Sequence, residues 1–79
     1  MKVIAFILDC YVDGADPAGT CRFNVSYNVS TGALSGSISP VVTISDTESA
    51  IQADIKQAVA DVVNSQLGTS ILKGAVRLF

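Results

Sequence analysis

The chain has 79 residues, of which 49% are hydrophobic and 15% are charged, and its formal net charge at pH 7 is −2. This length corresponds to one domain, residues 1–79, with no room for a second core, and the hydrophobic content excludes a disordered chain. The five basic residues are scattered along the sequence, whereas binding to duplex DNA or RNA needs a concentrated basic face, so we expect no nucleic-acid partner.

Residues 2–12 are predicted to form the first strand, which is apolar on both faces. The even positions carry Ile4, Phe6, Leu8 and Cys10, and the odd positions carry Val3, Ala5, Ile7 and Tyr11. The apolar run is shorter than the hydrophobic segment of an export signal, and Asp9 stands where a small neutral residue would be required. No stretch approaches the ~18 consecutive apolar residues of a membrane span, so we expect no membrane partner.

The next two predicted strands follow a loop at residues 13–19, which is rich in turn formers. Residues 20–30 alternate between apolar and polar side chains, and this period of two indicates an antiparallel strand with one buried face. Residues 30–33 predict a turn, and residues 34–44 predict a third strand. Pro40 cannot donate a hydrogen bond to a neighbouring strand, so we expect the third strand at an edge of the sheet.

Hydrophobic matching predicts the register of both hairpins, because apolar residues that share a buried face must meet each other across the strands. In the first hairpin it places Leu8 opposite Phe23 and Cys10 opposite Cys21, so the even residues of strand one face the core. In the second hairpin it places Tyr27 opposite Gly36, where the aromatic ring covers the gap that a glycine leaves.

A helix is predicted over residues 46–67. Residues 45–48 have the pattern of a capping box, and Gly68 is a C-terminal stop. The apolar stripe consists of Ile51, Ile55, Ala58, Val59, Val62 and Leu67, while Gln52, Lys56, Asp61 and Asn64 are expected to face water.

Residues 70–79 form the last predicted strand and complete the topology. The fold class is α+β, with the element order β-β-β-α-β. It is a four-stranded mixed sheet of strand order 3-2-1-4 with one amphipathic helix packed on one face. A right-handed crossover places strand four beside strand one, which makes the most hydrophobic strand central.

The side chains available for chemistry are few. The sequence contains no histidine, which excludes nucleophile activation by histidine and most zinc chemistry. Cys10 and Cys21 form either a cross-strand disulfide or redox pair, or two small buried hydrophobic side chains. Oxygen ligands for calcium are present in Asp9, Asp13 and Asp16, but their spacing fits no established calcium loop and is ordinary turn chemistry. We therefore expect a protein that is not an enzyme and has no cofactor or metal.

One helix covers one face of such a sheet, and the other face is predicted to be apolar along strand one. The predicted partner interface consists of Val3, Ala5, Ile7, Tyr11, Ala75 and Phe79. A strip of this kind is typical of a surface that binds another protein; the alternative is that the 13–19 loop or the C-terminus folds over it. Strand four is also expected to offer an open edge to a strand of another chain.

Three segments carry a resemblance to a known group of proteins: residues 27–36 (Tyr-Asn-Val-Ser-Thr-Gly-Ala-Leu-Ser-Gly), the acidic start of the helix at residues 46–51, and the strand at residues 76–79. In a short and sparsely charged chain, they resemble the small accessory and structural proteins of tailed bacteriophage virions. The resemblance implies a capsid or tail component that binds copies of itself or other virion subunits, with a cytoplasmic location as the alternative. The alternative function is a small exported binding or inhibitory module stapled by a Cys10–Cys21 disulfide.

Overall fold

The computed structural model describes residues 1–30, 32 and 34–79, and its fold is α+β. The elements are β1 (Val3–Tyr11), β2 (Thr20–Val29), β3 (Ser35–Ile38), β4 (Val41–Thr43), α1 (Glu48–Leu67), a 3-10 turn (Lys73–Ala75) and β5 (Val76–Leu78). Two residues of the predicted 30–33 turn, Thr31 and Ala33, lie outside the described residues.

The sheet has the strand order β3-β2-β1-β5, which confirms the predicted topology with β1 in a central position. The predicted third strand is divided into β3 and β4, and both pair with β2 in one continuous antiparallel register. Pro40 lies between them and accepts a hydrogen bond from the amide of Phe23 through its carbonyl oxygen, at 3.1 Å. Because proline has no N–H, Pro40 cannot donate the second hydrogen bond of this antiparallel pair to Phe23, and the pairing with β2 is interrupted between β3 and β4.

The predicted register of the first hairpin is wrong by one residue up to Ile7 and by two residues from Asp9 onward. Val3 lies opposite Val29 and Ala5 lies opposite Tyr27, so the odd residues of this part of β1 share the face of the buried β2 residues. The register then shifts between Ile7 and Asp9, where Leu8 is an extra residue. Since β1 is apolar on both faces, hydrophobic matching alone does not choose between the two registers.

The hydrophobic core lies between the sheet and α1. The helix contributes Ile55, Val59, Ala60 and Val63, and the sheet contributes Val3, Ala5, Val25, Tyr27, Val29 and Val76. The predicted stripe is right at Ile55 and Val59, but it omits Ala60 and Val63, while Val62 is only partly buried. The small side chains of Ala5 and Ala60 are fully buried.

The two ends of α1 are capped in different ways. Thr47 is the N-cap, and its Oγ1 accepts a hydrogen bond from the amide of Ala50 at 3.2 Å. The predicted capping box at residues 45–48 is therefore wrong: the N-cap lies two residues after Ser45, and its N3 residue, Ala50, has no side chain that could complete a capping box. Gly68 ends the helix as predicted, with φ at 66° in the left-handed region that glycine adopts without a steric cost.

Candidate interaction surface

The predicted partner interface is only partly present on the open face of the sheet. Val3 and Ala5 are 1% and 0% exposed and belong to the core, and Ile7 is half-buried against the same core. These three placements are corrected, because the register of β1 turns its odd residues toward α1. Tyr11 and Phe79 are exposed, and Ala75 is exposed in the 3-10 turn before β5.

The face of the sheet opposite α1 carries a different set of apolar side chains, which we call the outer strip. It consists of Ile4, Phe6, Leu8, Tyr11 and Phe79. Phe6 is 42% exposed, Leu8 66% and Phe79 60%. The sequence did not lead to Ile4, Phe6 and Leu8 as open-face residues. One feature of the sequence does indicate them: Val3 and Ala5 are small, and small side chains allow a helix to pack closely on that face of β1, whereas Phe6 does not.

Phe6 and Phe79 form the centre of the outer strip. Their ring centroids are 5.4 Å apart, with an interplanar angle of 23°. The backbone holds them together: the amide of Phe79 donates to the carbonyl of Ala5, and the amide of Ile7 donates to the carbonyl of Phe79, both at 2.9 Å. These bonds continue the parallel pairing of β1 and β5 by one residue, so Phe79 is positioned by the sheet.

A charged group lies on each side of the aromatic pair, with Arg77 beside Ile4 and Asp9 between Leu8 and Tyr11. Arg77 pairs with Ile4 across β1 and β5, and its guanidinium carbon lies 5.9 Å from the centroid of the Phe79 ring. Beyond the bulge, the carboxylate of Asp9 accepts a hydrogen bond from the side-chain amide of Asn24. The strip therefore runs from a cation, across the aromatic pair, to a carboxylate.

Apart from Val41, which lies opposite Arg22 and is exposed, polar side chains cover the remainder of the open face, as the alternation of β2 predicts. Asn24, Ser26 and Asn28 of β2 lie on this face, because Val25, Tyr27 and Val29 between them are buried on the other. The exposed Ser35 and Ser37 of β3 pair with residues of this polar row. The outer strip is thus bordered on one side by amides and hydroxyls.

Arg22 holds the 13–19 loop at the far end of the sheet. Its Nε and Nη2 donate to the two carboxylate oxygens of Asp16 at 2.6 and 2.8 Å, and its Nη1 donates to the carbonyl of Ser39 at 3.1 Å. The hydrogen bond from Arg22 and its positive charge lower the pKa of Asp16, and the same contact raises the pKa of Arg22. With the loop fixed there, Phe6 and Leu8 remain exposed, so neither the loop nor Phe79 covers the outer strip.

Each of the three aspartates that were considered for calcium has a partner within the protein. Asp13 accepts a hydrogen bond from the amide of Ala15 at 2.9 Å, which is ordinary turn geometry. Asp16 pairs with Arg22, and Asp9 binds Asn24. Within residues 1–30, 32 and 34–79, no group of three metal-binding side chains occurs.

The two cysteines are not opposite each other. Cys10 lies opposite Phe23, because the bulge shifts the register, and Cys21 lies opposite Val42 on the other side of β2. Both thiols are free, with Cys10 exposed and Cys21 partly buried. Residues offset by two positions on neighbouring strands are about 7–8 Å apart, which is beyond the usual Cα separation in a disulfide. The predicted Cys10–Cys21 pairing is therefore corrected.

Comparisons with known proteins add no further assignment: no family model, curated protein or solved structure matches this chain. The described residues form no pocket. Nor does the described part of the chain contain a helix with the length and apolar content that a membrane crossing needs. The outer strip is therefore the feature on which a functional interpretation depends.

Proposed function

We propose that this protein is a non-enzymatic assembly protein, a capsid or tail component of a bacteriophage virion, that binds partner subunits through the open face of its sheet. The observation that carries the proposal is the stacked pair of Phe6 and Phe79, which lies on the solvent side of the sheet and is held there by backbone hydrogen bonds. An aromatic pair that is fixed by the sheet requires little ordering when a partner binds.

The size of the exposed apolar surface supports this interpretation. Aromatic side chains offer ~150–250 Å² each, so the exposed fractions of Phe6, Tyr11, Phe79 and Leu8 correspond to roughly 400 Å² of mainly apolar surface. The largest apolar patch on a typical monomer is about 300–600 Å² and is often functional. Aromatic residues at the centre with amides and hydroxyls around them are also the usual composition of a protein interface.

The low charge of the chain supports an assembled rather than a free state. Only 15% of the residues are charged, compared with ~25% in typical soluble domains, and surface charge is what keeps free proteins apart in solution. The resemblance of residues 27–36, 46–51 and 76–79 to small bacteriophage virion proteins makes a virion the proposed location.

The test is the sedimentation of the protein in an extract of the cells or phage that make it. We expect the wild-type chain in the fast-sedimenting particle fraction, detected by mass spectrometry. The Phe6→Ser and Phe79→Ser double variant is expected to remain in the slow fraction, because it loses the aromatic pair. Leu72→Ser is the matched control, since Leu72 is 78% exposed but precedes β5 outside the outer strip. A wild-type chain that sediments as free 8.2 kDa protein would overturn the proposal.

A further inference from the structure

We propose that the occupant of the outer strip is a second copy of this chain, packed face to face across a two-fold axis. The inference rests on the proposed function and names the partner: the unit that enters the assembly is a dimer. It is carried by the order of charges along the strip, with Arg77 beside Ile4 on one side of the aromatic pair and Asp9 on the other.

The positions along β1 define this order. Because Leu8 is an extra residue, the distance is counted along β2: Ile4 lies opposite Asn28 and Asp9 opposite Asn24, so the two levels are ~13 Å apart at a rise of about 3.3 Å per residue. Phe6 and Phe79 lie between the two charges. The midpoint falls at the level of Phe6, so the aromatic pair is at the centre of this arrangement.

A two-fold axis between the two sheets, perpendicular to the strands at this midpoint, makes the strip complementary to itself. The rotation reverses the strand direction, so the level of Arg77 in one copy faces the level of the partner's Asp9, and the reverse contact forms at the other end. Phe6 then faces the partner's Phe6. Such an interface uses the same patch on both subunits, as two-fold dimers do, and stacked sheets are ~10 Å apart, a distance that an arginine and an aspartate can bridge together.

The polar half of the face is compatible with the same arrangement. Ser26 would lie over the partner's Ser26 and Asn24 over the partner's Asn28, and amides and hydroxyls both donate and accept hydrogen bonds. A row of side chains with one sign of charge would repel the same row of the second copy, but Asn24, Ser26 and Asn28 carry no charge. The longer extents of the molecule are 37 and 21 Å, and the rectangle of about 780 Å² that they define is the upper limit of the face, which is of the order of the ~800 Å² per partner of a standard stable interface.

The experiment is sedimentation equilibrium of the purified full chain at about 1 to 100 μM, a range in which the free energies of standard-size interfaces are measurable. We expect twice the mass of the 8.2 kDa chain. Arg77→Glu and Asp9→Arg should each weaken the dimer about tenfold or more, because each places like charges together at both ends of the interface. Lys73→Glu is the matched control, an exposed cation outside the strip, and should leave the mass unchanged.

Mixing the two single variants gives the decisive result. In a mixed dimer, the introduced glutamate of one chain faces the introduced arginine of the other at one end, and the native Asp9 faces the partner's Arg77 at the other end. Opposite charges therefore meet at both ends, and we expect the mixture to recover the dimer mass. Circular dichroism melting of each variant separates a lost interface from a lost fold.

Two results would overturn the second-copy proposal: a wild-type monomer at all concentrations, or two dimerising variants that mixing does not change. A purified dimer that is absent from particles would instead overturn the proposed assembly function.

Discussion

The side chain of Asn64 binds both polar groups of the Ile71 backbone: its Nδ2 donates to the carbonyl oxygen at 3.0 Å, and its Oδ1 accepts from the amide at 2.9 Å. The same Oδ1 accepts a hydrogen bond from the hydroxyl of Thr69 at 2.8 Å. The helical pattern of the sequence predicts that Asn64 faces water, and that prediction is wrong. Asn64 instead fixes the connection between α1 and β5, and therefore the position of Phe79.

Replacement of Asn64 by alanine is expected to lower the free energy of unfolding by about 2–3 kcal/mol, because three part-buried hydrogen bonds are lost and the Ile71 backbone loses its partners. Urea unfolding followed by circular dichroism measures the change. Gln66→Ala is the control, since Gln66 is an exposed amide on the same helix, and should change stability by less than about 0.5 kcal/mol. Equal effects of the two substitutions would contradict the structural role of Asn64.

Gly36→Ala is expected to destabilise the protein by about 1–3 kcal/mol through overpacking. A Cβ at this position would lie 2.8 Å from the hydroxyl oxygen of Tyr27 and 3.1 Å from its Cζ, and Tyr27 is buried. The loss should be smaller in a Tyr27→Phe background, which removes the closer atom, and a double-mutant cycle measures this coupling. Gly14→Ala meets no atom within 4 Å and serves as the control. A cycle with no coupling would show that the two residues do not restrain each other.

The Asp16–Arg22 pair predicts a defined dependence of stability on pH. The hydrogen bond from Arg22 and its charge lower the pKa of Asp16 below the usual 3.8, so in acid the unfolded chain binds a proton that the folded chain does not. The contribution is fully present above the usual pKa and is lost as the pH falls through the lowered pKa. Asp16→Asn should therefore be less stable than the wild type at neutral pH and should approach it in strong acid.

Urea unfolding of both proteins across this pH range checks the prediction, and Arg22→Gln should abolish the same pH dependence because it removes the cause of the lowered pKa. A difference between wild type and Asp16→Asn that stays constant from neutral to strongly acid pH would mean that the pair does not form in solution.

The N-cap assignment is checked by two hydroxyl deletions that differ only in position. Thr47→Ala should lower the melting temperature, with a loss of about 1 kcal/mol, because Thr47 Oγ1 accepts from the amide of Ala50. Ser45→Ala should be close to neutral, since Ser45 is exposed and lies before the cap. The opposite ranking would place the start of the helix at the capping box that the sequence predicts.

Cys10 and Cys21 should both react as free thiols in the native protein under oxidising conditions. Cys10 should react with a thiol reagent faster than Cys21, because Cys10 is exposed and Cys21 is partly buried. Cys10→Ser and Cys21→Ser assign the two rates. Two unreactive cysteines that become reactive after reduction would indicate a disulfide, and hence the hairpin register that places these residues opposite each other.

The parts of the fold that the sequence predicted correctly depend on sequence patterns that fit only one structure. The alternation of β2 leaves one choice of buried face, and the resulting pairing of Tyr27 with Gly36 is confirmed. The third strand lies at an edge of the sheet, as Pro40 predicts, but Pro40 lies opposite Phe23, and its missing N–H divides this strand into β3 and β4. Gly68 ends the helix for an equally local reason, its positive φ.

The parts that failed depend on choices that local patterns leave open. Both faces of β1 are apolar, so the pattern is satisfied whether Ala5 or Phe6 enters the core, and the packing of α1 decides in favour of Ala5. The hydrogen bonds of Asn64 and Arg22 join residues whose proximity arises only after the chain has folded. The candidate interaction surface was therefore assigned to the correct strands and, along most of β1, to the wrong residues.

The position of Leu8 in the bulge determines whether the fold requires this residue of β1. Because Leu8 is the extra residue of the bulge, its removal would leave the pairing of β1 with β2 intact on both sides: Ile7 would still face Val25, and Asp9 would still face Asn24. The hairpin thus contains one dispensable position, and that position holds a large apolar side chain that is 66% exposed. A residue that neither the ladder nor the core uses is free to be selected for what it contacts outside the molecule.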